Sequence, residues 1–134
     1  MNLLGRTKIV QSYAPVTSNT TITTTEIDCR GFDRVCHIIN VGAIVSGGTL
    51  NYKVQEAAAS NGTFGDIEDA ELTQVEYAGR SNVYAIDIPV NPLKPFQKAV
   101  ATAATQNVTS GAVAVLYEGS GTYPKDAAKE AIIL

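Results

Sequence analysis

Few residues in this chain are equipped for chemistry. There is one histidine, His37, two cysteines, Cys29 and Cys36, and one dense run of acids, Asp66, Glu68, Asp69 and Glu71. His37 could serve as a general base or metal ligand, but a transition-metal site needs three or four convergent donors and no second histidine exists. It therefore reads as a core or interface histidine held by a single hydrogen bond. Cys29 and Cys36 bracket the turn from Arg30 to Arg34. Either a hairpin there brings them within disulfide range, or they are two reduced, semi-buried thiols of the kind common in proteins that mature in a cytosol. The acidic run lacks the spacing and central glycine of a calcium loop and reads as a solvated face. A hydrolase built on that run, or on a Ser/His/Asp set, finds no recognisable pattern. The glycines form neither GxGxxG nor GxxxxGK[ST], so no phosphate cradle is expected. No catalytic residue, metal site or cofactor is expected.

The elements that must position these residues are strands. Across 134 residues, 45% hydrophobic and 17% charged, the stiff β-branched residues Thr, Val and Ile recur throughout. That composition describes one ordinary folded domain and excludes wholesale disorder. No apolar run approaches the roughly 18 to 20 residues of a membrane-spanning helix, and the apolar start of MNLLGRTKIVQ is too short for a signal peptide. With 10 Lys+Arg against 13 Asp+Glu and a net charge of -3, the chain lacks the basic footprint of a nucleic-acid binder. Neither a membrane nor nucleic acid is expected as a partner.

Alternation and turn residues predict an all-β fold, an antiparallel β-sandwich or jelly-roll-like barrel of about eight strands with a short C-terminal arm or helix. A first strand is expected over Lys8 to Ala14, stopped by Pro15, and a second over the Thr-rich stretch Thr20 to Ile27. That second strand fits a sheet edge or a surface that meets a partner. Arg34 to Val45 is apolar on both faces and should be a central strand, with Val35, Ile39 and Val41 on one side and Cys36, Ile38 and Ile44 on the other. Gly47 and Gly48 predict a hairpin returning through Thr49 to Glu56. Ala57 to Gly65 reads as a loop, with Phe64 folding back over the core edge, and Asp66 to Leu72 as a short helical or irregular piece. Strands follow at Gln74 to Tyr77 and Asn82 to Ile88. A last hairpin-like pair, Phe96 to Ala103 and Ala112 to Glu118, is joined by Thr105 to Gly111. Residues 1–118 thus form the sandwich domain and 119–134 an arm, where Asp126 could cap a short helix. Ile132, Ile133 and Leu134 leave that arm stable only if it docks, on its own domain or on another copy.

Several motifs in fixed order carry a family resemblance. The run IDCRGFDRVCHIINVGAIVSGGTLNYKVQEAAASNGTFGDIEDAEL contains, in order, Asp28; Arg30, Gly31 and Phe32; Val41, Gly42 and Ala43; Gly47 and Gly48; Lys53, Gln55 and Glu56; Gly62, Thr63 and Phe64; and Asp69, Ala70 and Leu72. Tyr77, Gly79 and Arg80 follow, then the strand Ala112 to Leu116. Spread over about residues 20 to 118, this order resembles small structural proteins of tailed-bacteriophage virions, of the head decoration (cement) type. The chain departs from that pattern at NPLKPFQ, after Ile88, and in the tail after Tyr123. The resemblance implies a β-sandwich or jelly roll without enzymatic activity, made in the bacterial cytoplasm and carried on the capsid surface. Its implied partners are the major capsid protein and itself, as a homotrimer. The contact residues expected on this reading are Thr20, Ile22 and Thr24 of the Thr-rich strand and Tyr123, Ile132, Ile133 and Leu134 of the tail. A carbohydrate-binding sandwich displayed on the virion, using Tyr and Asn-rich loops, is the competing binding module; the absence of Trp for sugar stacking weighs against it.

Overall fold

A computed structural model describes residues 7–117 and 130–133. Two sheets face each other across one core. The first holds, in spatial order, β1 (Thr7–Ser18), β9 (Val108–Tyr117), β4 (Arg34–Ile44), β7 (Asn82–Pro89) and β10 (Glu130–Ile133). The second holds β2 (Thr21–Ile22), β8 (Phe96–Ala104), β5 (Thr49–Ala57) and β6 (Gly65–Glu71), and β3 (Ile27–Asp28) adds to β8. All pairings are antiparallel except β10 on β7. The pairs β1 with β9, β2 and β3 with β8, β4 with β7 and β5 with β6 are nested. The chain is one long folded ribbon, rolled so that β4 also meets β9 and β5 also meets β8. That rolled ribbon is a jelly roll.

The core comes from strict alternation. Val35, Ile39 and Val41 of β4, Leu50, Tyr52 and Val54 of β5, and Tyr84, Ile86 and Ile88 of β7 all point inward and are buried. A smaller cluster at one end joins Ile27, Cys29, Val35, Ala114 and Leu116.

Several local expectations change. Pro15 does not stop the first strand, which continues to Ser18 through register shifts on either side of Tyr13. An edge strand tolerates a residue without an N–H, particularly at a bulge. The Thr-rich stretch is not one strand but two short pieces, β2 and β3, with residues 23–26 between them. Ile44 lies in the core, not opposite it, because a register shift between Val41 and Ile44 flips the phase. Gly47, at φ 93°, does form a turn, with the Gly48 N–H donating to the Val45 carbonyl at 2.8 Å. It is a corner and not a hairpin: both flanks of β4 are already filled by β7 and β9, so β5 must enter the other sheet. The same holds for β8 and β9, joined across the sandwich by residues 105–107. Asp66 to Leu72 is not helical, since it supplies edge strand β6 against β5. Gln74 to Tyr77 makes only a bridge, from Val75 to Leu50, before a 3₁₀ turn over Tyr77–Gly79. In the arm, residues 130–133 are a strand where a helix was expected; the rest of that expected helix lies outside the described residues.

Candidate functional site

His37 sits on central strand β4, facing the core and fully buried. Its Nε2 lies 2.8 Å from the Gln97 Oε1 of β8, so the bond ties one sheet to the other. An amide oxygen only accepts, which makes Nε2 the donor. Burial pushes the imidazole pKa down to about 4, against the opposing effect of the Gln97 bond. No other side chain partners Nδ1 or the Gln97 amide nitrogen. This is a cross-strut between sheets. Among the described residues no group of three or more His, Cys, Asp and Glu side chains is placed to hold a metal.

Both cysteines are free thiols. Cys29 follows β3 in the second sheet while Cys36 belongs to β4 in the first, so no hairpin sets them opposite each other. Burial raises the Cys29 pKa to about 12 and that of Cys36 to about 11, which keeps both protonated and unreactive. The four acids lie along exposed strand β6. Asp66 is engaged by Lys53 at 3.0 Å and by Gln55 at 2.8 Å, and these bonds lower its pKa.

The surface divides sharply by sheet. The outward positions of β5 are Thr49, Asn51, Lys53 and Gln55, a polar and charged face. Those of the first sheet, among the described residues, include Thr7, Ile9, Gln11 and Thr17 on β1, Thr109, Val113 and Val115 on β9, Cys36, Ile38 and Asn40 on β4, and Val83 and Ala85 on β7, a mixed face with apolar side chains along its middle and Thr, Gln and Asn beside them. Among the described residues, the charged side chains at these outward positions form one closed group. The Asp87 carboxylate accepts from Arg34 Nε at 3.1 Å and from the Tyr117 hydroxyl, and Arg34 also reaches the Tyr117 oxygen at 3.3 Å. Burial and the neighbouring carboxylate push the Tyr117 phenol well above its ordinary value. Toward the other end of β4 the face carries a groove of about 420 Å³ whose lining mixes apolar Ile38, Val113 and Pro15 with polar Gln11, Asn40 and Thr109.

The expected contact residues that are described are not brought together. Thr20 is exposed; Ile22 is buried in the core; the Thr24 hydroxyl donates to the Ala99 carbonyl at 2.6 Å. Ile132 and Ile133 belong to β10, in register with Ile86 and Asp87 of the same chain, while Tyr123 and Leu134 lie outside the described residues. The apolar outer face was not singled out from the sequence. Its signal was the apolar content on both sides of β4, read there as burial on both sides.

No family model matches the chain, and no curated protein sequence matches it. Among solved structures it is similar to a chain in the structure of the Gx strain of infectious bursal disease virus, at 12% identity and a TM-score of 0.47 over 92% of this chain and 34% of that one. It is also similar to the VP2 subviral particle of infectious bursal disease virus, at 13% identity and a TM-score of 0.43, over 91% of this chain and 35% of that one. The chain thus spans about a third of the length of the structures it resembles.

Proposed function

We propose that this protein is a non-enzymatic structural component of a tailed-phage virion, a decoration or cement protein that binds the outside of the assembled capsid. The observation that carries the proposal is the difference between the two sheet faces: one shows solvent Lys53, Gln55 and Asp66, while the other, among the described residues, carries Ile9, Ile38, Val113, Val115 and Val83 among uncharged polar neighbours, with its Arg34–Asp87 pair already closed. Such a molecule stays soluble through one face and buries the other. The groups that could have done chemistry are spent on packing, since His37 ties the sheets and Cys29 fills the core end. The order of motifs resembling the decoration family points the same way.

On this reading the protein is made in the host cytoplasm, assembles as a homotrimer and meets the major capsid protein. Because it binds the assembled shell and not the separate subunits, mass action alone stabilises the particle. A symmetric lattice of copies makes weak individual contacts sufficient. Quantitative mass spectrometry of purified virions should find this polypeptide in a fixed ratio to the major capsid protein. Virions without it would contradict the assignment.

A further inference from the structure

Among the described residues, most edges of the two sheets are blunted by their own sequence. β1 is broken by register shifts on either side of Tyr13, and its Pro15 has no N–H to offer. β6 carries Asp66, Glu68, Asp69 and Glu71 and bends at Asp69, whose φ is 64°. β2 and β3 are two residues each. Short, charged or bent edges of this kind resist pairing with strands of other molecules. Between Asn82 and Ile88, β7 has none of these devices. It pairs with β4 at consecutive positions without a register shift, and its one charge, Asp87, is engaged by Arg34 and Tyr117. At every second residue of such a strand the backbone N–H and C=O point away from β4, toward the open side. Left bare, β7 would be a long, regular and largely apolar edge, the form that templates pairing between copies.

It is not bare. Residues 130–133 lie on it as β10, from Glu130 opposite Tyr84 to Ile133 opposite Asp87, in parallel. This occupant is separable from the rest of the sheet. It is four residues long, parallel pairing is slightly weaker per residue than antiparallel, and residues 118–129 stand between it and β9. The same chain supplies it within easy reach. Tyr117 is level with Arg34 and Pro89, whereas Glu130 is level with Tyr84. The connection therefore returns about 17 Å along the strands and crosses about 14 Å of sheet, about 22 Å in all. Residues 118–129 reach about 40 Å when extended.

We infer that the edge of β7 is a strand-accepting site for an extended segment, and that residues 130–133 of the same chain occupy it as a detachable cap against sheet-to-sheet pairing between copies. Recognition at such a site is carried by main-chain hydrogen bonds. The site belongs to the free protein and operates without any capsid.

The test uses the full chain with Ala131→Pro and Ile132→Pro together, which removes N–H groups of β10 on both of its sides. By hydrogen exchange, alternate amides among Tyr84, Ala85, Ile86 and Asp87 should exchange at least about fivefold faster than in the wild type, the factor that one backbone hydrogen bond carries. The other two, held by β4, should keep their wild-type rates and show that the fold is intact. In light scattering the variant should grow beyond the wild-type mass, and a synthetic peptide of residues 119–134 should bind it and return it to that mass. Consecutive N–H groups of a strand point to opposite sides, so N-methylation of the peptide at Ala131 and at Ile132 should have opposite effects, one abolishing binding and the other sparing it. Unchanged rates at all of these amides, or equal binding by the two methylated peptides, would overturn the site. A variant that keeps the wild-type mass would overturn the cap.

Discussion

His37 makes the fold sensitive to acid at one identifiable atom. Its folded-state pKa of about 4 lies below the ordinary 6.5, so between those values the unfolded chain binds the extra proton. Stability is complete above about pH 6.5 and falls as the pH drops toward 4. Between pH 7 and 5, before most carboxylates titrate, the loss should be about 2 kcal/mol. Asp28 does not contribute in that window, because its ordinary value of 3.8 and its folded-state value of about 2, held down by hydrogen bonds from Arg30, both lie below it. Urea unfolding at the two pH values should show this loss in the wild type and not in His37→Phe. That variant will be weaker throughout, since Gln97 Oε1 loses its partner. A flat wild-type profile would remove the strut from the account. The chemistry expected of this residue was legible in the sequence: one histidine among apolar neighbours is a packing residue. Its partner was not, because Gln97 lies sixty positions away on a strand of the other sheet.

At the scale of elements, alternation identified β5 and β7, where every second residue forms a buried row, while β4 was recognised by apolar residues on both faces and β8 by the turn residues around it. Connections were harder to read. The Gly47–Gly48 turn has the residues of a hairpin, and only the occupied flanks of β4 make it a corner. Strand β6 was obscured by Asp, Glu and Ala, whose local preferences are not those of a strand; pairing with Lys53 and Gln55 overrides them. The bulge in β1 has its own cause and test. A Cβ on Gly111 would sit 3.1 Å from the Pro15 backbone, whereas one on Gly42 would find ordinary contacts from 3.5 Å. Gly111→Ala should therefore cost about 1–3 kcal/mol, by forcing β1 away from β9. Gly42→Ala should stay within about 0.5 kcal/mol of wild type. Equal unfolding midpoints for the two would show that β1 is not held against β9 at that point.

For the whole molecule, the near balance of charge seen in the composition hides an uneven distribution. Among the described residues, charge gathers on β5, β6 and the turns, while the outward positions of β1, β9, β4 and β7 carry apolar and uncharged polar side chains apart from the closed group at Asp87. Composition reports the total and not the side on which it falls, so this surface emerged only once the register of each strand was known. A soluble face opposite a buried one is the form needed to coat an assembled shell, and that is the central claim. The direct measurement is co-sedimentation of purified protein with expanded, undecorated capsids of the phage proposed to carry it. Saturable binding at a fixed number of copies per capsid, with no binding to unassembled capsid subunits, is the predicted result. Protein that stays in the supernatant at every concentration would contradict it.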